Sequence, residues 1–374
     1  MRDVLAERLL ASVMHWNPED DARERPGLQA MAAYKYDSYQ QFSPGMRYVE
    51  SLASWLSQFA EEDRRILFDF IQSHLVFISE SEMRHLVSIS FPELIRPKLI
   101  RLAASSSGTN ELYVSKILTG VEYKVQLRRS LFLGLSDGAK MDHFRRCNPD
   151  IRHEQVFQTY DIPEAKLDDM QTRLESDLKT ILGKHPASDR RRFSSVFLMD
   201  DFSGSGISYW RTAAAGGEAD GKIARVMNLI YDEKEVIHNM LDLPDMSVCI
   251  VLYVATQQAI NHISNNLSNW LKSTGRNLEF SVHAVQIVPN NVRIDPVRDA
   301  RIIDILERYF DDSIVDDSYK LGRIDRPYLG FDECGLPLVL FHNTPNNSFP
   351  LLWFDESKKW RGLFPRVSRH RRKA

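Results

Sequence analysis

Residues 195–208 read Ser195-Val196-Phe197-Leu198-Met199-Asp200-Asp201-Phe202-Ser203-Gly204-Ser205-Gly206-Ile207-Ser208. The apolar run at its start is typical of a buried strand, and two adjacent acids end that run. In open α/β sheets, ligands bind at the carboxyl ends of the parallel strands. Glycines let the backbone approach an anion closely, and serine hydroxyls and successive N–H groups can donate to phosphate oxygens. The stretch therefore predicts a phosphate-binding loop at the end of a parallel strand.

Three better-known phosphate and acyl motifs do not fit this stretch. A Walker loop requires a lysine after its second glycine, and none follows Gly204 or Gly206. A dinucleotide fingerprint requires a third small residue where Tyr209 stands, and its acid comes about 20 residues after the loop. A nucleophile elbow centred on Ser205 requires glycines at positions 203 and 207. What remains is an apolar strand, two aspartates, a spacer and a Ser-Gly-x-Ser loop.

That pattern resembles the ribose-5-phosphate signature of type I phosphoribosyltransferases. The resemblance implies that Asp200 and Asp201 hold the ribose hydroxyls of phosphoribosyl pyrophosphate and touch a metal only indirectly, through ribose or water. It also implies a loop that wraps the 5-phosphate, formed by Ser203, Gly204, Ser205, Gly206, Ile207 and Ser208. The structural alternative is an Asp-rich strand end followed by an ordinary Gly/Ser turn.

Composition indicates an ordinary soluble globular protein. The chain has 374 residues, 43% hydrophobic and 26% charged, with a net charge of −3, which favours two or three domains and no particular polyanion partner. Cys147, Cys249 and Cys334 lack the spacing of a zinc site or disulfide framework, so we expect free thiols in a reducing cytosol. The N-terminus lacks a signal-peptide pattern, and no stretch approaches the ~18 apolar residues of a membrane helix. A cytoplasmic protein with no membrane contact is expected.

The pattern of hydrophobic residues divides the chain into three predicted regions. Residues 1–105 favour an α-helical domain that packs on or docks a partner, and residues 317–374 an irregular cap with a basic tail. Residues 106–316 alternate strands with helices, which indicates a mostly parallel sheet with right-handed crossovers. The predicted fold class is therefore α/β, with helices flanking the sheet, and it agrees with the core that the resemblance implies. The predicted strands are 129–135, 155–160, 196–199, 248–255 and 279–288, and the predicted helices in this region are 140–146, 164–182, 233–241, 257–272 and 298–310.

The loop after the first predicted core strand is the second candidate segment. It reads Ser136-Asp137-Gly138-Ala139, and the resemblance implies that it contacts the pyrophosphate together with Mg²⁺. Backbone N–H groups in such a loop can stabilise a departing anion. Asp137 departs from the family pattern because it brings a negative charge to an anion site. It either holds Mg²⁺ instead or marks a degenerate loop.

The same loop carries a competing interpretation as a serine hydrolase. Gly134-Leu135-Ser136-Asp137-Gly138 is a literal Gly-x-Ser-x-Gly between a predicted strand and a predicted helix. Ser136 would then be the nucleophile, with Asp200 or Asp201 and with His283 or His342 as partners. No glycine-rich oxyanion loop lies upstream, and a five-residue pattern also occurs by chance.

Three further segments have open alternatives. Gly183 to Pro186 with Arg190 to Arg192 form either a mobile active-site loop or a solvated helix terminus. Residues 336–348, with Phe341 or Trp353 stacking, form either a base-reading surface or a structured Asn-rich turn. The basic tail from Arg366 to Lys373 either contacts nucleic-acid phosphates or is a disordered solubilising tail.

Taken whole, the chain resembles phosphoribosyltransferase-like proteins of prokaryotic conflict systems, some of which are encoded in retron operons. Three features carry this resemblance: the helical N-terminal region, the central loop and the segment His342-Asn343-Thr344-Pro345-Asn346-Asn347. The resemblance implies an anti-phage defence role, with partners such as a reverse transcriptase–DNA complex or a DNA-binding protein. It implies binding of phosphoribosyl pyrophosphate or a related nucleotide with Mg²⁺. Either ribose-5-phosphate is transferred to a nitrogen nucleophile, or a nucleotide is sensed without turnover.

Overall fold

The computed structural model describes residues 3–160, 162, 164–187, 191–211, 219–355 and 358–366. They belong to two compact units. Met1–Glu82 and Pro289–Ala374 form the first unit, and Met83–Val288 form the second. The units do not follow the three-part division at 105/106 and 316/317, since residues 83–105 group with the sheet and the chain returns to its first unit at Pro289. That division concerns independent folding and stays a prediction.

Helices outnumber strands along the described chain. In chain order, the helices are α1 Asp3–Val13, α2 Pro18–Tyr34, α3 Tyr48–Leu56, α4 Glu61–His74, α5 Glu80–Ser90, α6 Arg96–Ser107, α7 Val114–Thr119, α8 Val121–Arg128, α9 Met141–Cys147, α10 Leu167–Leu182, α11 Lys222–Tyr231, α12 Val236–Met240, α13 Gln257–Thr274, α14 Ala300–Arg308 and α15 Pro350–Trp353. The strands are β1 Val76–Ile78, β2 Ser130–Gly134, β3 Val156–Phe157, β4 Ser195–Ser203, β5 Ser247–Thr256, β6 Glu279–Val288 and β7 Leu338–Leu340. Within these described ranges, no helix is both long enough and apolar enough to cross a bilayer.

The second unit contains a five-stranded, all-parallel sheet in the order β3-β2-β4-β5-β6. The predicted α/β fold class with a parallel sheet and flanking helices is thus confirmed. β5 is buried along its whole length, as expected of a central strand covered on both faces. β3 has two residues, so the predicted strand 155–160 is too long.

Helices cover both faces of this sheet. On one face, Leu198 and Ile250 belong to a core that also contains residues of α10, α11 and α13. On the other face, the rings of Phe132 and Phe197 stack at 5.1 Å, and Phe144 of α9 packs on Phe132 at 5.3 Å. Side chains alternate between faces along a strand, so the central strands require apolar residues at nearly every position.

β4 continues through the acid pair and does not stop at it, contrary to the sequence interpretation. Its pairing with β5 includes Asp200 opposite Leu252, Phe202 opposite Val254 and Ser203 opposite Ala255. Because the strand continues, successive side chains alternate, and Asp200 and Asp201 do not share one direction. This alternation separates the environments of the two carboxyl groups.

The first unit is mainly helical, with a small parallel sheet that joins distant parts of the chain. β1 pairs with β7, and Val76 lies opposite Leu338. α4 ends at His74, and Val76 begins β1, a strand within the region that was predicted to be helical. The side chains of Ser51 and Trp55 donate to the backbone oxygens of Leu363 and Leu351, which ties α3 to the C-terminal segment.

Candidate functional site

The structure brings the two predicted loops together at the carboxyl ends of β2 and β4. Gly134 lies opposite Met199 in the parallel pairing, so the residues that follow Gly134 meet the residues that follow Met199. The hydroxyl of Ser136 donates to Oδ1 of Asp200 and accepts from the N–H of Gly138 at 3.2 Å. The candidate pyrophosphate loop and the acid pair therefore form one cluster.

Asp200 is fully buried and held by several donors. Oδ2 accepts from the hydroxyl of Tyr209 at 2.7 Å and from Nζ of Lys222 at 2.5 Å. Oδ1 accepts from Ser136, and the N–H of Asp201 lies 3.1 Å from it. Burial raises the pKa of Asp200, and the negative charge of Asp201 raises it further, whereas Lys222 and Ser136 act in the opposite direction.

Asp201 differs from its neighbour in exposure and contacts. It is partly exposed, and its Oδ1 accepts from the N–H of Phe202 at 2.8 Å. The backbone of Gly138 approaches this carboxylate so closely that a Cβ at Gly138 would lie 2.2 Å from Oδ2. Only glycine permits that approach. Asp201 is thus the acid that faces the candidate pyrophosphate loop.

The rest of that loop is anchored from β5. Ala139 is buried, and its carbonyl oxygen accepts from the hydroxyl of Tyr253 at 2.6 Å. Burial raises the pKa of the Tyr253 phenol well above its usual value, so the hydroxyl stays protonated and remains a donor. Asp137 is exposed at the surface of the loop.

Residues 203–208 form a tight and largely buried turn. Gly206 has φ +84°, and a Cβ there would lie 2.9 Å from the carbonyl oxygen of Ala259, so this turn requires glycine. The hydroxyl of Thr256 donates to the carbonyl oxygen of Gly204 at 2.5 Å and accepts from the first turn of α13. Ser203, Gly204, Ser205 and Gly206 are buried, whereas Ile207 is partly exposed and Ser208 exposed. An approaching anion therefore meets the end of the loop at residues 207 and 208.

The hydroxyl of Ser203 is buried at the start of this turn without a hydrogen-bond partner among the described residues. An unmet buried hydroxyl costs about 1–3 kcal/mol. Ser203→Ala is therefore expected to leave the free energy of unfolding unchanged or to raise it by about 1 kcal/mol, as measured by urea denaturation.

Ser130→Ala is the matched control for that measurement. Ser130 is also buried on the sheet, but its hydroxyl donates to the carbonyl oxygen of Gln126 at 2.8 Å. Its removal is expected to lower the free energy of unfolding by about 1 kcal/mol. Equal destabilisation by the two substitutions would mean that Ser203 has a partner in solution.

Lys222 and Tyr209 are site residues that the sequence did not reveal. Lys222 is the first residue of α11, and its N–H donates to the carbonyl oxygen of Ser208 at 3.1 Å. Gly221 precedes it at φ +116°, where a Cβ would lie 2.5 Å from the carbonyl oxygen of Tyr209. Between them, Arg211 and Asp220 form an antiparallel bridge and an ion pair. Lys222 is far from Asp200 along the chain, and no motif spacing links the two.

The observed geometry of Ser136 does not support a hydrolase nucleophile. Its backbone is extended, at φ −162° and ψ 172°, and not in a strained elbow conformation. Its hydroxyl bonds to Asp200, and none of its hydrogen bonds within the described chain is to a histidine. In the sheet register, Ala284 aligns with Asp200 through Leu252, so His283 lies on the face opposite Asp200 and on the same face as Asp201.

The other predicted segments have structural explanations where they are described. Glu175, in the middle of α10, forms an ion pair with Arg191 at 3.3 Å and lies 3.8 Å from Nδ1 of His185, so both residues pack back on this helix. Arg190 and tail residues 367–374 lie outside the described residues. Both predictions about nucleic-acid contact and loop motion stay predictions.

The C-terminal Asn-rich segment forms a structured turn in the first unit, and its polar groups bond within that unit. The hydroxyl of Thr344 contacts Tyr39 and Phe364, and the amide of Asn347 donates to Phe331 at 3.2 Å. The indole N–H of Trp353 donates to the carbonyl oxygen of Ser348 at 2.7 Å. The polar groups of Thr344, Asn347 and Trp353 are therefore used internally.

Comparison with known families agrees with the parallel α/β fold. The model of the PRTase-CE family matches residues 52–366, which is most of the chain. The chain belongs to the PRTase-CE family. No curated protein and no solved structure matches it. Membership of the PRTase-CE family indicates that this chain is a phosphoribosyltransferase-like protein.

Proposed function

We propose that this PRTase-CE protein binds phosphoribosyl pyrophosphate, or a closely related nucleotide, at the cluster formed by residues 136–139, Asp200, Asp201 and residues 203–208. The observation that carries the proposal is the approach of Gly138 to the carboxylate of Asp201. A glycine loop against an acid at the ends of two parallel strands provides backbone donors beside a hydroxyl acceptor. A ribose that carries a pyrophosphate needs both.

Different residues of the cluster bind different parts of the ligand. The carboxylate of Asp201 accepts from ribose hydroxyls, and the N–H and hydroxyl of Ser208, at the exposed end of the turn, donate to the 5-phosphate. The N–H of Ile207 instead donates to the hydroxyl of Ser205 at 3.3 Å. The N–H groups of Ser136 and Asp137, at the start of the other loop, donate to the pyrophosphate, since those of Gly138 and Ala139 bond to the hydroxyl and the carbonyl oxygen of Ser136. If turnover occurs, the charge of Asp201 stabilises the ribose as positive charge develops on it, and the donors of the loop stabilise the departing anion.

The acids present fit Mg²⁺ as an ion held mainly by the ligand. Within the described chain, no group of three or more His, Cys, Asp or Glu side chains is placed to hold a metal. Mg²⁺ keeps several waters and takes one or two carboxylates together with phosphate oxygens. Asp201, through ribose or water, and the exposed Asp137 are the carboxylates available to it. When bound, the ion neutralises charge on the pyrophosphate.

Calorimetric titration with phosphoribosyl pyrophosphate and Mg²⁺, with pyrophosphate release followed in parallel, tests this proposal. Binding with release supports a transferase, in which water here takes the place of the nitrogen nucleophile that accepts ribose-5-phosphate. Binding without release supports a nucleotide sensor, which the negative charge of Asp137 in the loop favours. No heat with phosphoribosyl pyrophosphate or with nucleoside monophosphates would overturn the proposal.

A role in anti-phage defence, including a retron-like system, is proposed from the sequence resemblance alone. The partners would be a reverse transcriptase–DNA complex or a DNA-binding protein. Co-purification of the chain with the products of neighbouring genes tests this. Its isolation as a free protein under conditions where those products are present would contradict it.

A further inference from the structure

The contacts of Asp200 set it apart from Asp201. Three side chains donate to its carboxylate, and they come from three segments: Ser136 after β2, Tyr209 after β4 and Lys222 at the start of α11. A carboxylate has two oxygens with about four acceptor positions. The N–H of Asp201, 3.1 Å from Oδ1, contributes a fourth contact. Ribose hydroxyls would have to displace one of these donors.

Asp200 and Asp201 also differ in their burial. Asp200 has no exposed surface, whereas Asp201 is partly exposed beside Gly138. Nζ of Lys222 also lies 4.9 Å from the ring centre of Tyr209, so the ammonium packs between a ring and a carboxylate. Its side chain is only 30% exposed. A buried charge pair of this kind stays favourable only while both partners are present.

We infer that Asp200 is a positioning residue that, with Lys222, holds the two candidate ligand loops in register, and that of the two acids only Asp201 contacts the ligand. Ser136 fixes the loop after β2 on one carboxylate oxygen. Tyr209 and Lys222 fix the end of the phosphate loop and the start of α11 on the other. The inference deepens the proposed function and rests on it only for the ligand contact of Asp201.

A double-mutant cycle on stability tests the pair without any ligand. Asp200→Asn and Lys222→Met are each expected to lower the thermal midpoint by several degrees, because the first leaves the partly buried ammonium of Lys222, and the second the buried carboxylate of Asp200, without its counter-ion. The double variant should lose less than the sum of the two losses. Lys222→Arg keeps the charge and should recover part of the lost stability. Strict additivity in the cycle would overturn the pairing.

Ligand affinity tests the positioning role. Lys222→Met is expected to weaken phosphoribosyl pyrophosphate binding roughly tenfold through displaced loops, with partial recovery in Lys222→Arg. Hydrogen exchange at the N–H of Gly138 should become faster in both variants, because Lys222→Met lets the carboxylate that anchors Ser136 move, and Asp200→Asn replaces that carboxylate by a weaker acceptor. Asp201→Asn should lose affinity without faster exchange and without loss of stability.

The outcomes separate this inference from the proposed function. If the wild-type protein does not bind the ligand, the proposed function fails, while the stability cycle still tests the pair. If the wild-type protein binds, but Asp200→Asn weakens binding as much as Asp201→Asn with unchanged stability and exchange, Asp200 contacts ligand directly. That result would overturn the inference alone.

Discussion

Asp201→Asn is expected to weaken the binding of phosphoribosyl pyrophosphate by about 10- to 100-fold, because hydrogen bonds to a charged acceptor contribute about 1.5–3 kcal/mol. The side chain lies beside Gly138 and is partly exposed, so the substitution keeps its shape and removes its charge. The midpoint temperature of thermal unfolding should be unchanged or slightly higher, because the substitution also removes the charge repulsion between Asp201 and Asp200. Calorimetric titration of both proteins measures the effect.

Asp169→Asn is the control for charge. Asp169 lies on α10, where it forms an exposed i,i+4 ion pair with Arg173 at 2.8 Å. Such pairs contribute little to stability, and the residue belongs to neither candidate loop. Its affinity for the ligand should equal that of the wild-type protein. Equal affinity in Asp201→Asn and Asp169→Asn would remove Asp201 from the ligand site.

Gly138→Ala is expected to have an effect of similar size for a steric reason. The added methyl group would lie 2.2 Å from Oδ2 and 2.4 Å from Cγ of Asp201, so either the loop or the carboxylate must move. A displacement of about 1 Å at a binding or catalytic group can lower activity roughly 100-fold. Affinity for phosphoribosyl pyrophosphate should fall at least about tenfold while the protein remains folded.

Gly27→Ala is the matched control for this substitution. Gly27 lies inside α2, and a Cβ there would have no heavy atom within 4 Å. Alanine favours a helix interior by about 1 kcal/mol over glycine, so stability should rise and affinity should not change. Normal affinity in Gly138→Ala would mean that the loop has room that the structure does not show.

The fold of the second unit was accessible from sequence because its strands are strongly apolar. β5 and β6 begin and end within a residue of the predicted limits. α11, which begins at Lys222 after Gly221, does not coincide with any predicted helix, since the predicted helices nearest to it are 164–182 and 233–241. In the first unit, β1 and β7 are short strands that pair across most of the chain, and local patterns carry no information about such distant pairing.

The candidate site could be predicted only in part from the sequence, for a similar reason. The adjacency of Ser136 and the acid pair follows from parallel strands whose ends meet at one edge. The difference between Asp200 and Asp201 cannot be predicted in this way. It depends on contacts with Lys222 and Tyr209, which follow the loop in sequence and fold back onto Asp200. Two identical residue types in sequence therefore have two environments.

Hydrogen exchange with and without phosphoribosyl pyrophosphate and Mg²⁺ tests the central claim most directly, because it locates the ligand on the chain. The structure predicts slower exchange in residues 134–141 and 200–210, with little change in the helices of the first unit. Protection confined to other segments, or absent from both loops at saturating ligand, would contradict a sugar-phosphate site at the acid pair.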